Sequence, residues 1–237
     1  MKNKKLDEHA FDVLTPEAAY WVGFALGDGN VHKNKFSVRL KGSDVAHLEK
    51  LKAFLKSSNK VCHGITKPCM IGDKLVSPKE YANFSVSSPV LVARLAEMGV
   101  VPRKSLIASI PEELRNSRDV YRGLIDADGH IAIRQRKAYL PGDFVCTKYG
   151  QKARVDVRIS LIGSIHVVSQ FRDYVVSIEP QITNKVSKRG TIFSFEVGGE
   201  SAQRLTAHFY NDAVVSLDRK LATAKEIIST SIGITTQ

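Results

Sequence analysis

The feature that most constrains this chain is a nine-residue stretch that occurs twice, as WVGFALGDG at Trp21–Gly29 and as YRGLIDADG at Tyr121–Gly129. In register, two glycines, an apolar residue and an aspartate coincide: Gly23 with Gly123, Phe24 with Leu124, Asp28 with Asp128, and Gly29 with Gly129. The aspartates lie 100 positions apart in a chain of 237 residues. A motif repeated at about half the chain length predicts two similar domains, each bringing one carboxylate to a shared place.

Both copies are predicted to lie on helices. Thr15 is a good N-cap residue and Pro16 suits the first helical position, which together predict a helix from Pro16 to about Asp28. Ser117 is the corresponding N-cap for a helix over the second copy. We expect Gly29 to turn left-handed after the last helical residue.

Small residues recur four positions apart in both predicted helices, and positions with this spacing share one helix face. They form a smooth notch on each helix: Gly23 and Gly27 on the first, and Gly123 and Ala127 on the second. Glycine inside a helix costs roughly 0.5–1 kcal/mol relative to alanine, so these positions need a packing or functional reason. We therefore expect the two helices to pack closely and to bring Asp28 and Asp128 together.

Further landmarks recur in the same order in both halves. They form three pairs: VRL at Val38–Leu40 with VRI at Val157–Ile159, FSV at Phe84–Val86 with FEV at Phe195–Val197, and Arg103-Lys104 with Arg219-Lys220. Each half then reads as helix, two strands, helix, two strands, helix. This order predicts an α+β fold with two domains, residues 1–112 and residues 113–237.

Alternating polarity predicts strands with one basic face. Along residues 33–41, apolar side chains alternate with lysine, serine and arginine, which is typical of a half-buried strand. The whole chain carries a net charge of +11, which favours a polyanionic partner such as nucleic acid. A ribbon of strands can enter the DNA major groove. The candidate DNA contacts are the outward basic residues Lys33, Lys35, Arg39 and Lys41 in the first half, and Arg134, Arg136, Arg154 and Arg158 in the second.

The paired aspartates indicate a metal site. Two carboxylates at the C-terminal ends of helices repel one another and the negative end of each helix dipole. A divalent cation would neutralise them, and oxygen ligands favour Mg²⁺ or Ca²⁺. In a basic protein, such a metal indicates phosphodiester hydrolysis. Asp126, which has Leu26 as its counterpart in the first copy, is interpreted as a solvated or packing acid rather than a catalytic one.

The second copy closely resembles the name-giving motif of the LAGLIDADG homing endonucleases, and the first copy is a looser match. The repeated αββαββα order is similar to that family, and two motifs in one chain resemble its single-chain members. The resemblance implies two half-domains related by a pseudo-twofold axis, with the motif helices at the interface and a saddle of strands on DNA. It also implies a monomer that cuts both DNA strands at a long target, which need not be palindromic, and leaves 3′ overhangs.

The resemblance implies a role for individual residues. Four of them would form the metal site: the carboxylates of Asp28 and Asp128, and the backbone carbonyls of Gly27 and Ala127. Lys104 and Lys220 would organise the attacking water or stabilise charge. Mg²⁺ is the expected cofactor, with Mn²⁺ able to replace it and Ca²⁺ supporting binding without cleavage.

The halves depart from the family pattern at the end of the second strand. Many members carry Gln or Lys there in both halves. Lys41 can fill that place in the first half, whereas the second half offers Ser160 and Leu161. The two halves are therefore expected to differ in catalytic strength.

Two alternatives stay open: an RNA maturase, which would bind intron RNA, and a non-cleaving DNA-binding regulator of the same fold. Non-cleaving relatives tend to lose the acid pair, which is intact here, but a maturase could keep both acids. No run approaches about 18 apolar residues, so we expect no membrane partner. The basic start has no apolar segment behind it, so we expect an intracellular protein of the cytoplasm, the nucleoid or an organelle, not a secreted one.

Overall fold

A computed structural model of the chain describes residues 5–136 and 154–230, with the backbone alone for residues 71, 74, 135, 136 and 154. The first half contains α1 (Pro16–Asp28), β1 (Gly29–His32), β2 (Lys35–Lys41), α2 (Val45–Phe54), β3 (Cys62–Ile65), β4 (Cys69–Ile71), β5 (Lys74–Val76), β6 (Glu80–Ser87) and α3 (Pro89–Glu97). The second half contains α4 (Arg118–Asp128), β7 (Gly129–Arg136), β8 (Arg154–Gly163), α5 (Ile165–Ile178), β9 (Ser187–Arg189), β10 (Ile192–Gly198), α6 (Gly199–Tyr210) and α7 (Asp218–Ser229).

Each half contributes one four-stranded antiparallel sheet within the described residues, and the two sheets share one topology. The strand orders are β1-β2-β6-β3 and β7-β8-β10-β9. The predicted match of VRL with VRI is wrong, because the residue opposite Gly29 is Val38 whereas the residue opposite Gly129 is Leu161, which places VRI four positions before the counterpart of VRL. The other strand landmark does occupy matching places: Phe84 lies opposite Val38 and Phe195 lies opposite Leu161, so the two sheets repeat one arrangement. This repetition confirms the predicted α+β fold. The first half adds the β4–β5 hairpin, and the second half adds α7.

Short 3-10 turns at Lys104–Leu106 and Glu112–Leu114 connect the halves. The domain boundary between residues 112 and 113 falls inside the second of these turns and stays a prediction. Among the helices that the structure describes, none combines the length and the apolar character needed to cross a membrane.

The alternation predicted for the first basic strand is confirmed from Lys35 onwards. Phe36, Val38 and Leu40 are buried, and the basic residues that alternate with them, Lys35, Arg39 and Lys41, are exposed. The predicted start at Lys33 is wrong, because Lys33 has φ +52° and lies in the turn between β1 and β2. The chain already enters the sheet at β1, directly after the first motif helix.

Gly29 does not turn left-handed, contrary to the sequence-based expectation. Its backbone is extended, with φ −72° and ψ 144°, and it is the first residue of β1. A Cβ at this position would lie 2.5 Å from the carbonyl oxygen of Ala25. Glycine is required here because the chain turns from helix to strand so tightly that the last helical turn leaves no room for a side chain.

The motif helices α1 and α4 pack against one another through the predicted notches. A Cβ on Gly23 would lie 1.9 Å from the backbone oxygen of Val120, and a Cβ on Gly123 would lie 2.1 Å from that of Tyr20. Each helix therefore presents a glycine to the backbone of the other. This close approach confirms the packing predicted from the spacing of small residues, and it fixes where the helix ends meet.

Candidate active site

Asp28 and Asp128 are the last residues of α1 and α4, and the helix packing brings them to one place. Asp128 reaches across the interface, since a Cβ on Gly27 would lie 3.0 Å from its Oδ2 atom and 2.4 Å from the Cβ of Ala127. Asp28 is partly buried, whereas the Asp128 side chain is more exposed. The glycine notch therefore has a second effect beside helix packing: the absence of a side chain at Gly27 leaves space for the Asp128 carboxylate.

The environment of both aspartates disfavours their charge. Partial removal from water is the larger of two causes that raise the pKa of the Asp28 carboxyl to about 6, and repulsion from Asp128 is the smaller. Removal from water also raises the pKa of the Asp128 carboxyl, and the attraction of Lys104 and Lys220 opposes this rise. Because both carboxyl groups resist ionisation, a bound cation would stabilise their charged forms.

Lys104 and Lys220 lie on either side of the aspartates and are only 7% and 6% exposed. Their ammonium groups donate to backbone carbonyls around the ends of the motif helices. Lys104 donates to the carbonyl oxygens of Gly27, at 3.1 Å, and Gly29. Lys220 donates to those of Ile125, Asp126, at 2.9 Å, and Gly129, at 2.8 Å. The Gly27 and Asp126 carbonyls lie in the last turns of the motif helices, where a helix leaves carbonyls without an intrahelical partner, and one lysine satisfies each of them.

The two lysines differ in the number of hydrogens still available. An ammonium has three N–H donors. Lys220 uses all three on carbonyl oxygens, whereas Lys104 uses two, which leaves one N–H among the contacts within the described residues. Burial lowers the pKa of Lys220 to about 8 against the attraction of Asp126, and burial also lowers the pKa of Lys104. The two halves are therefore chemically unequal at the site.

The donor set fits a hard divalent cation. Two carboxylates converge, and the Gly27 carbonyl, although it accepts from Lys104, retains a second lone pair. In the described part of the chain, no group of three or more His, Cys, Asp or Glu side chains is placed to hold a metal. A cation here would take its other ligands from backbone, water and substrate phosphate, a set typical of Mg²⁺.

Comparison with known proteins identifies the fold that carries this site. No protein-family model and no curated protein matches the chain. The LAGLIDADG meganuclease I-CpaMI, solved with uncleaved DNA, matches with a TM-score of 0.57 and 13% identity over 94% of this chain and 95% of its own. I-AabMI, also with uncleaved DNA, matches with a TM-score of 0.53 and 12% identity over 91% of this chain and 90% of its own.

A third solved structure agrees. The I-LtrWI LAGLIDADG homing endonuclease, bound to target DNA, matches with a TM-score of 0.52 and 11% identity over 90% of this chain and 89% of its own. The chain has the LAGLIDADG fold. At these identities the matches establish the fold, and they confirm at that level the resemblance predicted from the repeated motif.

In this LAGLIDADG fold, the basic residues of the first sheet stand free of carboxylates within the described structure. Lys35, Arg39 and Lys41 are exposed on β2, and Lys33 is exposed in the turn before it. The Arg39 guanidinium lies 4.4 Å from the centre of the Tyr81 ring on the neighbouring strand β6. Stacking on an aromatic ring orients an arginine without neutralising its charge.

The second sheet presents a different surface. Arg134 is exposed on β7, but the side chains of Arg136 and Arg154 lie outside the described atoms. Arg158, on β8, donates to Asp156 at 3.1 Å and to Glu196 at 2.8 Å. Most of its charge is therefore balanced within the protein, which its outward position on the strand did not predict.

Asp126 is the residue whose surroundings sequence reasoning missed. It is 1% exposed, so the solvated interpretation is wrong and the packing interpretation is confirmed. Its carboxylate accepts from the hydroxyls of Tyr20 at 2.7 Å and Tyr210 at 2.6 Å, and from the backbone N–H of Leu217 at 2.7 Å. The LAGLIDADG motif thus carries one acid at the surface of the site and one that joins three distant segments.

Arg122 is a second buried charge on the same helix, one turn before Asp126. It is fully buried, pairs with Asp119 at 2.6 Å, and donates to the backbone oxygens of Val215 at 3.0 Å and Phe209 at 3.2 Å. An arginine in a motif whose other charged residues are aspartates was the available signal. Its two backbone partners could not be read from the sequence, because they lie 87 and 93 positions away.

Proposed function

We propose that this protein is a site-specific, divalent-metal-dependent DNA endonuclease that cuts both strands of a long target and leaves 3′ overhangs. One observation carries the proposal: two carboxylates meet at the ends of close-packed motif helices, flanked by two buried lysines. The solved LAGLIDADG proteins with this fold are bound to DNA. The intact acid pair favours the nuclease over a binding regulator.

In the proposed reaction, Asp28 and Asp128 hold the divalent cation, with the Gly27 and Ala127 carbonyls as further ligands. Mg²⁺, or Mn²⁺ in its place, supplies hydroxide at neutral pH and stabilises charge on the departing oxygen when bound. The protein itself contributes position and charge. Glycine at position 27 leaves the space that the Asp128 carboxylate occupies beside the first motif helix, so a side chain there would displace a metal ligand.

The lysines supply positive charge beside the scissile phosphates. Lys104 has an N–H available to a phosphate oxygen or to the attacking water, whereas Lys220 must release a carbonyl to do the same. We therefore assign Lys104 a direct role in charge stabilisation or water orientation. We assign Lys220 an electrostatic role, because its three N–H groups already bind backbone carbonyls. In this proposal the two strands are cut by unequal sites.

Binding would use the two basic strand faces. The first half supplies free positive charge from Lys33, Lys35, Arg39 and Lys41. The second half supplies Arg134 together with the carboxylate-paired Arg158, and Arg136 and Arg154 stay sequence-based candidates. Half-sites about one helical turn apart would require a target of roughly 20 base pairs.

The proposal is tested by incubating the purified protein and Mg²⁺ with a randomised duplex library and sequencing the cut ends. We expect one family of sites with matched 3′ overhangs. Asp28→Asn and Asp128→Asn should each abolish double-strand cutting while leaving binding in Ca²⁺ within about threefold, because each change removes one of the two anionic ligands proposed for the metal. Tight binding with no cleavage under Mg²⁺ or Mn²⁺ would reject the nuclease and favour the regulator. Preferential binding of structured intron RNA would favour the maturase.

A further inference from the structure

Each lysine of the site lies on a short segment that contacts a helix of the opposite half. We define the Lys104 segment as residues 104–110 and the Lys220 segment as residues 215–220. The Lys104 segment belongs to the first half of the chain but packs against the start of α5, a helix of the second half. The Lys220 segment belongs to the second half but packs against the start of α2, a helix of the first half.

The Lys104 segment is held by uncharged side chains of α5. Gln170 accepts from the backbone N–H of Ile110 and donates to its carbonyl oxygen, both at 2.9 Å. Ser164, the N-cap of α5, donates its hydroxyl to the carbonyl oxygen of Ala108 and accepts from Val167 N–H at 3.1 Å. These bonds lie in a buried region, so they restrain the backbone within a few residues of Lys104.

The Lys220 segment is held by charged side chains of both halves: Arg122 and Asp126 of its own half bind residues 215 and 217, and two side chains of the first half bind residues 216–219. Asp44, which precedes α2 as Ser164 precedes α5, accepts from Arg219 Nε at 3.1 Å. Lys50, within α2, donates to the backbone oxygen of Ser216 at 2.9 Å and pairs with Asp218. The two anchors therefore occupy matching positions in the two halves but use different chemistry.

We propose that Gln170 and Ser164 are positioning residues for Lys104, and that Asp44 and Lys50 are positioning residues for Lys220, so that the opposite half contributes to the placement of each lysine. The proposal rests on the proposed function, in which the two lysines serve different scissile phosphates. None of the four side chains is placed in the metal site. They act on the reaction only through the backbone that carries each lysine.

Opposite strands of the target should respond to the two anchors. Gln170→Leu removes both amide bonds to Ile110, and Lys50→Met removes the cation that joins α2 to Ser216 and Asp218. A small displacement of a charge-stabilising group slows a reaction by roughly ten- to a hundredfold. We expect Gln170→Leu to slow one strand by about tenfold or more, and Lys50→Met to slow the other.

The experiment uses a supercoiled plasmid carrying the selected target, with the two strands labelled differently and cut under single-turnover conditions. Nicked circles should accumulate for both variants, with the nick on opposite strands. Lys52→Met on α2 and Ser177→Ala on α5 are matched controls, because their partners Glu49 and Tyr174 lie within the same helix. Equal slowing of both strands, or slowing of the same strand by both variants, would overturn the proposal.

A second measurement separates this proposal from the nuclease activity. Hydrogen exchange of the free protein should quicken at residues 107–110 in Gln170→Leu and at residues 217–221 in Lys50→Met. Each variant should leave exchange in the other segment nearly unchanged. The Lys50 side chain is 34% exposed, so Lys50→Met tests the anchor without disturbing the core. Unchanged exchange in both variants contradicts the anchors even where cleavage is slowed. A wild-type protein that cuts nothing contradicts the proposed function and leaves the exchange result to decide the anchoring.

Discussion

The Tyr20 hydroxyl on α1 donates a 2.7 Å hydrogen bond to the Asp126 carboxylate on α4, and the same hydroxyl lies 3.0 Å from the Nε2 atom of His47 on α2. This bond crosses the helix interface, about two turns before Asp28 on α1 and two residues before Asp128 on α4. It ties the first half to a buried charge of the second. Asp126 in turn accepts from Leu217 N–H, just ahead of Lys220.

Tyr20→Phe should therefore destabilise the protein. The change removes one of three hydrogen bonds to a buried carboxylate, and such a loss costs about 1–3 kcal/mol. We expect the free energy of unfolding in urea to fall by about 2 kcal/mol with an unchanged slope. Tyr81→Phe, on the sheet surface, is the matched control and should be near neutral. An equal loss of unfolding free energy in both variants would contradict a specific contribution of the Tyr20–Asp126 bond to stability.

Gly23→Ala should disrupt the helix interface. The added Cβ would lie 1.9 Å from the backbone oxygen of Val120, a distance that only movement of a whole helix can relieve. Overpacking of this kind costs about 1–3 kcal/mol or more, and we expect the upper end because the neighbour is backbone. Gly198→Ala is the control, since its Cβ would meet Val157 O at an ordinary 3.7 Å. Urea unfolding of both variants measures the difference, and a tolerated Gly23→Ala would contradict the packing.

The metal-free protein should lose stability as pH rises from about 4 to 6. The pKa of the Asp28 carboxyl is raised to about 6 in the folded protein, whereas an unfolded aspartate titrates near 3.9. The folded state therefore binds the proton more tightly, so protonation stabilises it below pH 4 and this contribution is lost through pH 6. After allowance for solvent screening, we expect about 1–2 kcal/mol.

Asp28→Asn should remove that part of the pH dependence. Thermal or urea unfolding between pH 4 and 7 in the presence of a chelator measures the slope, with Asp73→Asn on the exposed β4–β5 hairpin as control. Saturating Mg²⁺ should reverse the trend for the wild-type protein by stabilising the ionised form. An identical slope in Asp28→Asn and Asp73→Asn would place the titrating group elsewhere.

Arg39→Ala should weaken DNA binding more than Arg158→Ala. Arg39 offers its charge freely above Tyr81, whereas Arg158 must first leave Asp156 and Glu196. A phosphate contact contributes about one unit to the salt dependence of log affinity, so Arg39→Ala should reduce that slope by about 1. Arg158→Ala should change the slope less. Binding titrations in Ca²⁺ at several salt concentrations test this, and equal slopes would contradict it.

Local sequence signals predicted most of the secondary structure. The capping residue and proline at the start of α1, the spacing of Gly23 and Gly27, and the alternation along β2 each act within a few residues. The fold class followed because the same signals recur in the second half. Lys33 and Gly29 were misassigned for a steric reason: the chain passes from α1 into β1 without a turn, and only the folded helix end reveals how little room remains.

The site was predictable in its residues but not in its connections. Asp28, Asp128, Lys104 and Lys220 follow from the motif and its resemblance, and the structure brings them together. The partners of Asp126 lie 84 to 106 positions away, and those of Gln170 lie 60 positions away. Such pairings depend on how two halves dock, which periodicity within one half does not encode.

The two anchors also set rules for building hybrid proteins from related halves. Gln170 and Ser164 bind backbone atoms of residues 108 and 110, and the only side chain among the hydrogen-bond partners of these two side chains in the first half, within the described residues, is the Ser109 hydroxyl, 3.3 Å from Gln170. A foreign first half therefore needs little sequence likeness at this anchor. Asp44 and Lys50 instead pair with the side chains of Arg219 and Asp218. A foreign second half must bring matching charges. Exchange of halves should therefore be permissive in one direction and demand compensating substitutions in the other.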